Sequence, residues 1–276
     1  MTVAWSWFFF GVAYLCGVSG ESGGFLGPIL ILLALAGPLV IAVPTLHLTG
    51  SPEEKRRYWR QVFDPRLIPG RWWAVILLLV PAITVVSGVI SGHWQTYLFA
   101  TLLSSVGITL LVSPVVPVLE ELGWRGYVLD KLQNRHSPVV ASIILGTIWG
   151  IWHLPAFFLQ GSVLGENTNG SLPFWLFFWN FLPMTVLLTW IRNNTNGSTL
   201  SAILVHIGLE VQTNLGLWPW FSNQIIVNSI ILLIVAVFVA FYTRGDLGWK
   251  KRRHMLHHEA TQIAAGFRNA RQSGSG

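Results

Sequence analysis

Apolar residues in this chain come in long, nearly unbroken runs, without the alternation of a half-buried strand or the narrow stripe of a soluble amphipathic helix. Eight of these runs reach or approach the roughly 20 residues that carry a helix across about 30 Å of hydrocarbon. They cover 3–18, 25–48, 72–90, 97–119, 138–160, 173–191, 198–217 and 225–243. The first is short, and Pro117 and Pro155 interrupt the fourth and fifth. A proline inside a span frees carbonyls that neighbouring protein or water must satisfy, so such breaks tend to line cavities. The pattern predicts an all-α, polytopic transmembrane bundle of about eight spans, forming one membrane domain over 1–243. A polar, basic tail over 244–276 follows, read as a surface helix or disordered. No internal repeat is visible.

Composition agrees. Hydrophobic residues make up 53% of the chain and charged residues only 10%, against about a quarter charged in soluble domains. Many of the 15 Trp, such as Trp72, Trp73, Trp94, Trp218 and Trp220, stand near the ends of apolar runs, where amphipathic rings favour the headgroup region. The 17 Lys and Arg fall into four groups: the 49–71 loop, the Arg125–Arg135 segment, Arg192 and the tail. An eight-span arrangement puts all four on one side together with both termini. The opposite loops carry only Glu21 and Glu166 as charges. By the positive-inside rule the basic side is cytoplasmic. The net charge of +6 then reads as retention against anionic lipid, and no nucleic-acid motif or phosphate-cradling glycine loop accompanies it. The N-terminus lacks the basic stretch of a cleaved signal peptide, so the first run reads as a retained helix. Cys16, the lone cysteine, has no intrachain disulfide partner. The chain is expected to be an integral, multi-pass membrane protein, of the plasma membrane in a prokaryote.

Ionisable residues inside apolar spans are costly, and each is a functional-site hypothesis. Glu120, Glu121 and Arg125 close the fourth run; Trp149 and His153 lie deep in the fifth; His206 and Glu210 sit in the seventh; Asn180 lies in the sixth. Glu121 and Arg125, four residues apart, share a helix face and can pair. Glu120 turns about 100° away from Glu121. His206 and Glu210 also share a face. Packing glue between helices explains any one of these residues, and Asn180 most simply. It explains two His and three Glu in one chain poorly. Brought together, they would form a hydrolytic centre with a water-activating base and groups to stabilise an oxyanion. His254, His257 and His258 read as a solvated tail run, and Asn169-Gly-Ser171 as a chance glycosylation pattern.

The three motifs, in this order, resemble those of the CPBP family of intramembrane proteases, which includes the type II CAAX prenyl endopeptidases. That family shows EExxxR, then aromatic-xxx-His, then His-xxx-Asn. Here these are Glu120, Glu121 and Arg125; Trp149 and His153; and His206 with the residue four later. The resemblance covers about 113–217, the expected catalytic core. It implies an endopeptidase acting on membrane-associated or prenylated, CAAX-type peptides. Glu120 would be the base that activates water, His153 would help hold that water, and His206 would stabilise the oxyanion. Glu121 and Arg125 would be an ion pair fixing the first motif. The departure is Glu210, where the family has Asn, because an ionised carboxylate repels an oxyanion. Glu210 can act as a donor if burial keeps it protonated. Alternatively, a divalent metal such as zinc is held by His153, His206 and Glu210 with Glu120 as base. Thirdly, Glu210 marks a catalytically weakened member. The metal-free route is preferred. Expected partners are membrane lipid and a peptide or protein substrate, and no nucleic acid. The alternatives are a non-enzymatic membrane binding or immunity protein (a pseudoprotease), and a proton- or ion-coupled transporter, which inverted repeats would favour.

Overall fold

A computed structural model describes residues 1–17, 25–92, 113–159, 171–214, 224–250 and 252. Positions 97–112 of the predicted fourth span lie outside these residues, as do Glu21, Glu166, Asn169, Trp94, Trp218, Trp220 and the tail histidines His254, His257 and His258. Among the described residues every regular element is helical. In order they are α1 (Thr2–Leu15), α2 (Leu26–Leu35), α3 (Gly37–Thr49), α4 (Pro52–Phe63), α5 (Gly70–Ile90) and α6 (Val115–Gly123). After these come α7 (Leu129–Gln133), α8 (Pro138–His153), α9 (Leu172–Asn194), α10 (Thr199–Asn214) and α11 (Gln224–Tyr242). The protein is an all-α, multi-pass membrane bundle. Among the described residues α5, α8 with the turn that extends it, α9 and α11 are long and apolar enough to cross a bilayer.

The run predicted as one helix over 25–48 is two, α2 and α3, bent by 51°. Pro38, in the first turn of α3, has no N–H to continue the α2 ladder, which accounts for the break. His153, expected deep in its span, is the last α-helical residue of α8. The chain then tightens into a 3₁₀ turn over Leu154–Phe158, where Pro155 cannot donate to the helix. Between α6 and α7 the backbone widens into a π-helical turn, Trp124–Val128. α4 lies in the 49–71 loop that carries the first group of Lys and Arg. Ser51 and Glu54 form a capping box at its start, and Tyr58, Gln61 and Val62 form its buried face. Tyr58 Oη donates to the Leu122 carbonyl at 2.9 Å, tying α4 to α6.

Small residues set the close helix contacts. A Cβ on Gly123 would stand 2.5 Å from the Pro38 backbone, and one on Gly146 would stand 2.8 Å from the Phe181 carbonyl oxygen. Ser6 in α1 donates to the Ala34 carbonyl at 2.6 Å and accepts from Trp152 Nε1 at 2.6 Å, binding α1 to α2 and α8. Gln212 of α10 accepts from Thr84 of α5.

The tail also departs from expectation where it begins. Leu247 and Arg252 are buried. Arg252 makes two contacts to the Asp130 carboxylate, at 2.9 and 3.0 Å, and Arg192 makes two more, at 2.7 and 3.2 Å. A buried cation is kept only where it finds such a partner. Burial alone would raise the Asp130 carboxyl; the two guanidiniums outweigh it and hold the group well below the usual carboxylate range. Because the folded state depresses this group, its contribution to stability is intact at neutral pH and is lost only on strong acidification.

Gly123→Ala is expected to lower the unfolding temperature in detergent, by an overpacking cost on the order of 1–3 kcal/mol. Gly11→Ala, whose new Cβ would meet nothing within 4 Å, is the matched control and should leave the melt unchanged or slightly raised.

Candidate functional site

Glu120 and Glu121 both lie near the C-terminal end of α6 and both are buried, yet they face different surroundings. Glu121 Oε1 accepts from Arg125 Nη1 at 2.7 Å, with neither side chain exposed. Arg125 also donates to Thr185 Oγ1 on α9 at 3.3 Å, and its guanidinium lies 4.2 Å from the centre of the Trp149 ring. The same Glu121 oxygen lies 3.0 Å from His206 Nδ1 on α10. The predicted Glu121–Arg125 pair is therefore present, and it has a third member. Sequence spacing carries no signal for a contact between residues 85 positions apart.

Glu120 makes no salt bridge among the described residues. Its Oε2 accepts from Trp149 Nε1 at 2.6 Å, which gives the aromatic position of the second motif a specific task. A carboxyl group with one oxygen so held leaves the other for a ligand. Glu120, His153, Asn180, His206 and Glu210 all line one cavity of about 360 Å³. Its remaining wall is mostly apolar, with Phe10, Leu35, Phe177, Phe181 and Leu209 among the lining residues. Four helices thus bring polar side chains to one place: α6, α8, α9 and α10.

The hydrogen bonds assign the imidazole tautomers. His153 Nδ1 lies 2.9 Å from the Trp149 carbonyl oxygen. A carbonyl only accepts, so Nδ1 carries the proton, and Nε2 of the neutral ring is left as an acceptor. Phe181 stacks on the His153 ring at 4.6 Å and fixes its plane. His206 Nδ1 likewise donates to Glu121, which leaves Nε2 as its other ring nitrogen. Glu210 Oε1 stands 3.9 Å from that nitrogen, too far for a hydrogen bond, and its side chain is 28% exposed. His153, His206 and Glu210 share the cavity but do not converge as ligands. Among the described residues no group of three or more His, Cys, Asp or Glu could hold a metal ion. Asn180, expected to be interhelical glue, is 2% exposed and has no hydrogen-bond partner on either amide atom among the described residues.

The arrangement combines a buried carboxyl able to take a proton, an imidazole nitrogen able to accept one, and a second imidazole backed by a carboxylate. That is the equipment of an acid–base hydrolytic site.

Comparison with known proteins agrees with the geometry. The family model described as type II CAAX prenyl endopeptidase Rce1-like matches residues 102–211, a stretch that contains all five polar cavity residues named above. The protein named CAAX prenyl protease 2 of Methanococcus maripaludis is 30% identical over 243 residues, covering 83% of this chain and 86% of its own length.

Trp149→Phe keeps a ring beside Arg125 but leaves Glu120 Oε2 without its donor. The expected loss of stability is about 1–3 kcal/mol, the penalty of an unsatisfied buried group. In a Glu120→Leu background the same change should be close to neutral, and thermal unfolding of the four proteins measures the coupling.

Proposed function

Because the chain belongs to the type II CAAX prenyl endopeptidase (Rce1-like) family and is a multi-pass membrane peptide hydrolase, we propose that it cleaves prenylated or otherwise membrane-associated peptides, with Glu120 activating the attacking water. The observation that carries this reading is the Glu120 carboxyl, buried on the cavity wall, steadied by the Trp149 indole and without an ionic partner among the described residues. The basic face is cytoplasmic, and the substrate reaches the cavity from that side or laterally between helices.

A water between Glu120 and His153 can donate one proton towards each, which turns a lone pair of its oxygen to the scissile carbonyl carbon. Glu120 takes a proton as the C–O bond forms and the carbonyl oxygen becomes an oxyanion. That oxyanion faces His206, whose protonated ring donates through Nε2 while Glu121 balances its charge. Collapse breaks the C–N bond, and Glu120 returns its proton to the departing amine. The products are a carboxylic acid and an amine, the acid then passing its remaining proton to the amine to leave a carboxylate and an ammonium, and Glu120 ends as it began. A positioned base of this kind contributes about 10²–10⁴-fold, and one oxyanion donor about 10²–10³-fold. Glu210 is compatible with an oxyanion nearby only as a neutral acid. No step of this route needs a metal. The metal route needs His153, His206 and Glu210 as a ligand set, and these three share the cavity without converging.

The test uses protein purified in detergent, peptides with and without a C-terminal prenyl group, and mass spectrometry in ¹⁸O-water. Wild type is expected to cleave, with one ¹⁸O in the new carboxylate and no response to chelator. Glu120→Gln, still folded, should lose about 10²-fold or more. Cleavage that survives Glu120→Gln contradicts the assignment. Activity lost on chelation and restored by zinc favours the metal route. Peptide binding without any cleavage favours the binding-only alternative.

A further inference from the structure

Residues 49–71, on the cytoplasmic side, hold six Lys and Arg against three carboxylates. Most of this stretch is α4, whose inner face is Tyr58, Gln61 and Val62. Arg56, Trp59, Arg60 and Phe63 recur at intervals of three, four and seven residues and form the opposite face. Phe63 is 72% exposed, and its ring stacks on Trp59 with centroids 5.7 Å apart. An aromatic pair set among arginines is poorly matched to water and well matched to the boundary between lipid headgroups and acyl chains. Trp59 also fixes the depth of α4, because its Nε1 donates to His47 Nε2 at 3.1 Å. His47 lies in the last turn of α3, which with α2 makes up a bent span. The outer face of α4 is thereby held level with the end of a membrane helix.

Where α4 ends, Arg60, Phe63, Asp64, Pro65 and Arg66 line an open cleft of about 510 Å³. Asp64 accepts from Arg66 Nε at 2.8 Å and from Arg66 Nη2 at 3.1 Å. Arg60 Nε stands 3.7 Å from the same carboxylate. Two guanidiniums around one carboxylate leave a positive charge in excess, and the Arg66 side chain is 88% exposed. A lipid phosphodiester carries one negative charge and is joined to apolar chains. The cleft matches the charge and Phe63 the chains, whereas inorganic phosphate would use the charge alone. We propose that this cleft and the outer face of α4 seat the headgroup of an anionic lipid of the cytoplasmic leaflet. Arg60 and Arg66 meet the phosphodiester, and Trp59 and Phe63 meet the upper part of the acyl chains. The seat bears on the cavity helix. Tyr58, on the inner face of α4, donates to the carbonyl of Leu122, the residue after Glu121. Lipid that holds α4 at the bilayer surface therefore also holds the depth of the two glutamates.

The test follows the unfolding temperature of the full chain in detergent as phosphatidylglycerol, phosphatidylcholine or inorganic phosphate is added. Wild type is expected to gain about 2–4 °C with phosphatidylglycerol, less with phosphatidylcholine and nothing with inorganic phosphate. Salt at about 1 M should shrink the gain, because it screens exposed charges. Arg60→Gln/Arg66→Gln should melt like wild type without lipid, as exposed substitutions usually do. It should need roughly tenfold or more phosphatidylglycerol for the same gain, and Phe63→Ser should also need more. Arg135→Gln/Lys250→Gln removes two exposed cations elsewhere and should respond as wild type does. An equal loss in both double variants means diffuse attraction, and an undiminished response in Arg60→Gln/Arg66→Gln means a seat elsewhere; either result overturns the proposal. So does a wild type that gains nothing from phosphatidylglycerol, or gains as much from phosphatidylcholine or inorganic phosphate. No step reads peptide cleavage, so the outcome is separate from that of the peptidase reading.

Discussion

Glu121 Oε1 receives Arg125 Nη1 at 2.7 Å and His206 Nδ1 at 3.0 Å, with none of the Glu121 or Arg125 side chain exposed. No solvent can replace a lost partner there, and removing one member of a buried pair costs about 3–5 kcal/mol. Through Arg125 this carboxylate also reaches Thr185 on α9 and the Trp149 ring on α8. Four helices around the cavity are thus referred to one oxygen atom. The same contact sets the His206 tautomer and aims Nε2 away from the ion pair. Glu120, one residue earlier in the chain, is spared the cation and faces the cavity instead. Adjacent residues of one type take different work because a helix turns them to different neighbours.

Much of this could be read along the chain. A membrane bundle follows from apolar runs that no soluble fold could bury, and the runs at 72–90, 138–160, 173–191, 198–217 and 225–243 correspond to α5, α8, α9, α10 and α11. Glu120, His153, His206 and Glu210 stood out because charge in hydrocarbon is expensive, and all four do line one cavity. The Glu121–Arg125 pair was visible from a spacing of four, although a π turn begins between them.

What the sequence withheld was mostly non-local. The contacts of Glu121 with His206 and of Glu120 with Trp149 join residues 85 and 29 positions apart, and no periodicity encodes them. The π turn has no propensity signature of its own. Asn180 reads identically whether or not its amide finds a partner on a facing helix, and only the fold separates the two. The bend at Gly37-Pro38 did carry a signal, which length and hydropathy overrode. The basic tail looked solvated because Arg252 gives no hint that Asp130, 122 residues earlier, lies opposite it.

The division of labour between the two adjacent glutamates is the claim on which everything else turns. It is tested most directly by making Glu120→Gln and Glu121→Gln side by side and measuring unfolding temperature and turnover on each. Glu120→Gln should keep a near-native melt while losing turnover. Glu121→Gln should lose stability by several kcal/mol, and turnover with it. A stable, active Glu121→Gln, or an active Glu120→Gln, would contradict the assignment of both residues.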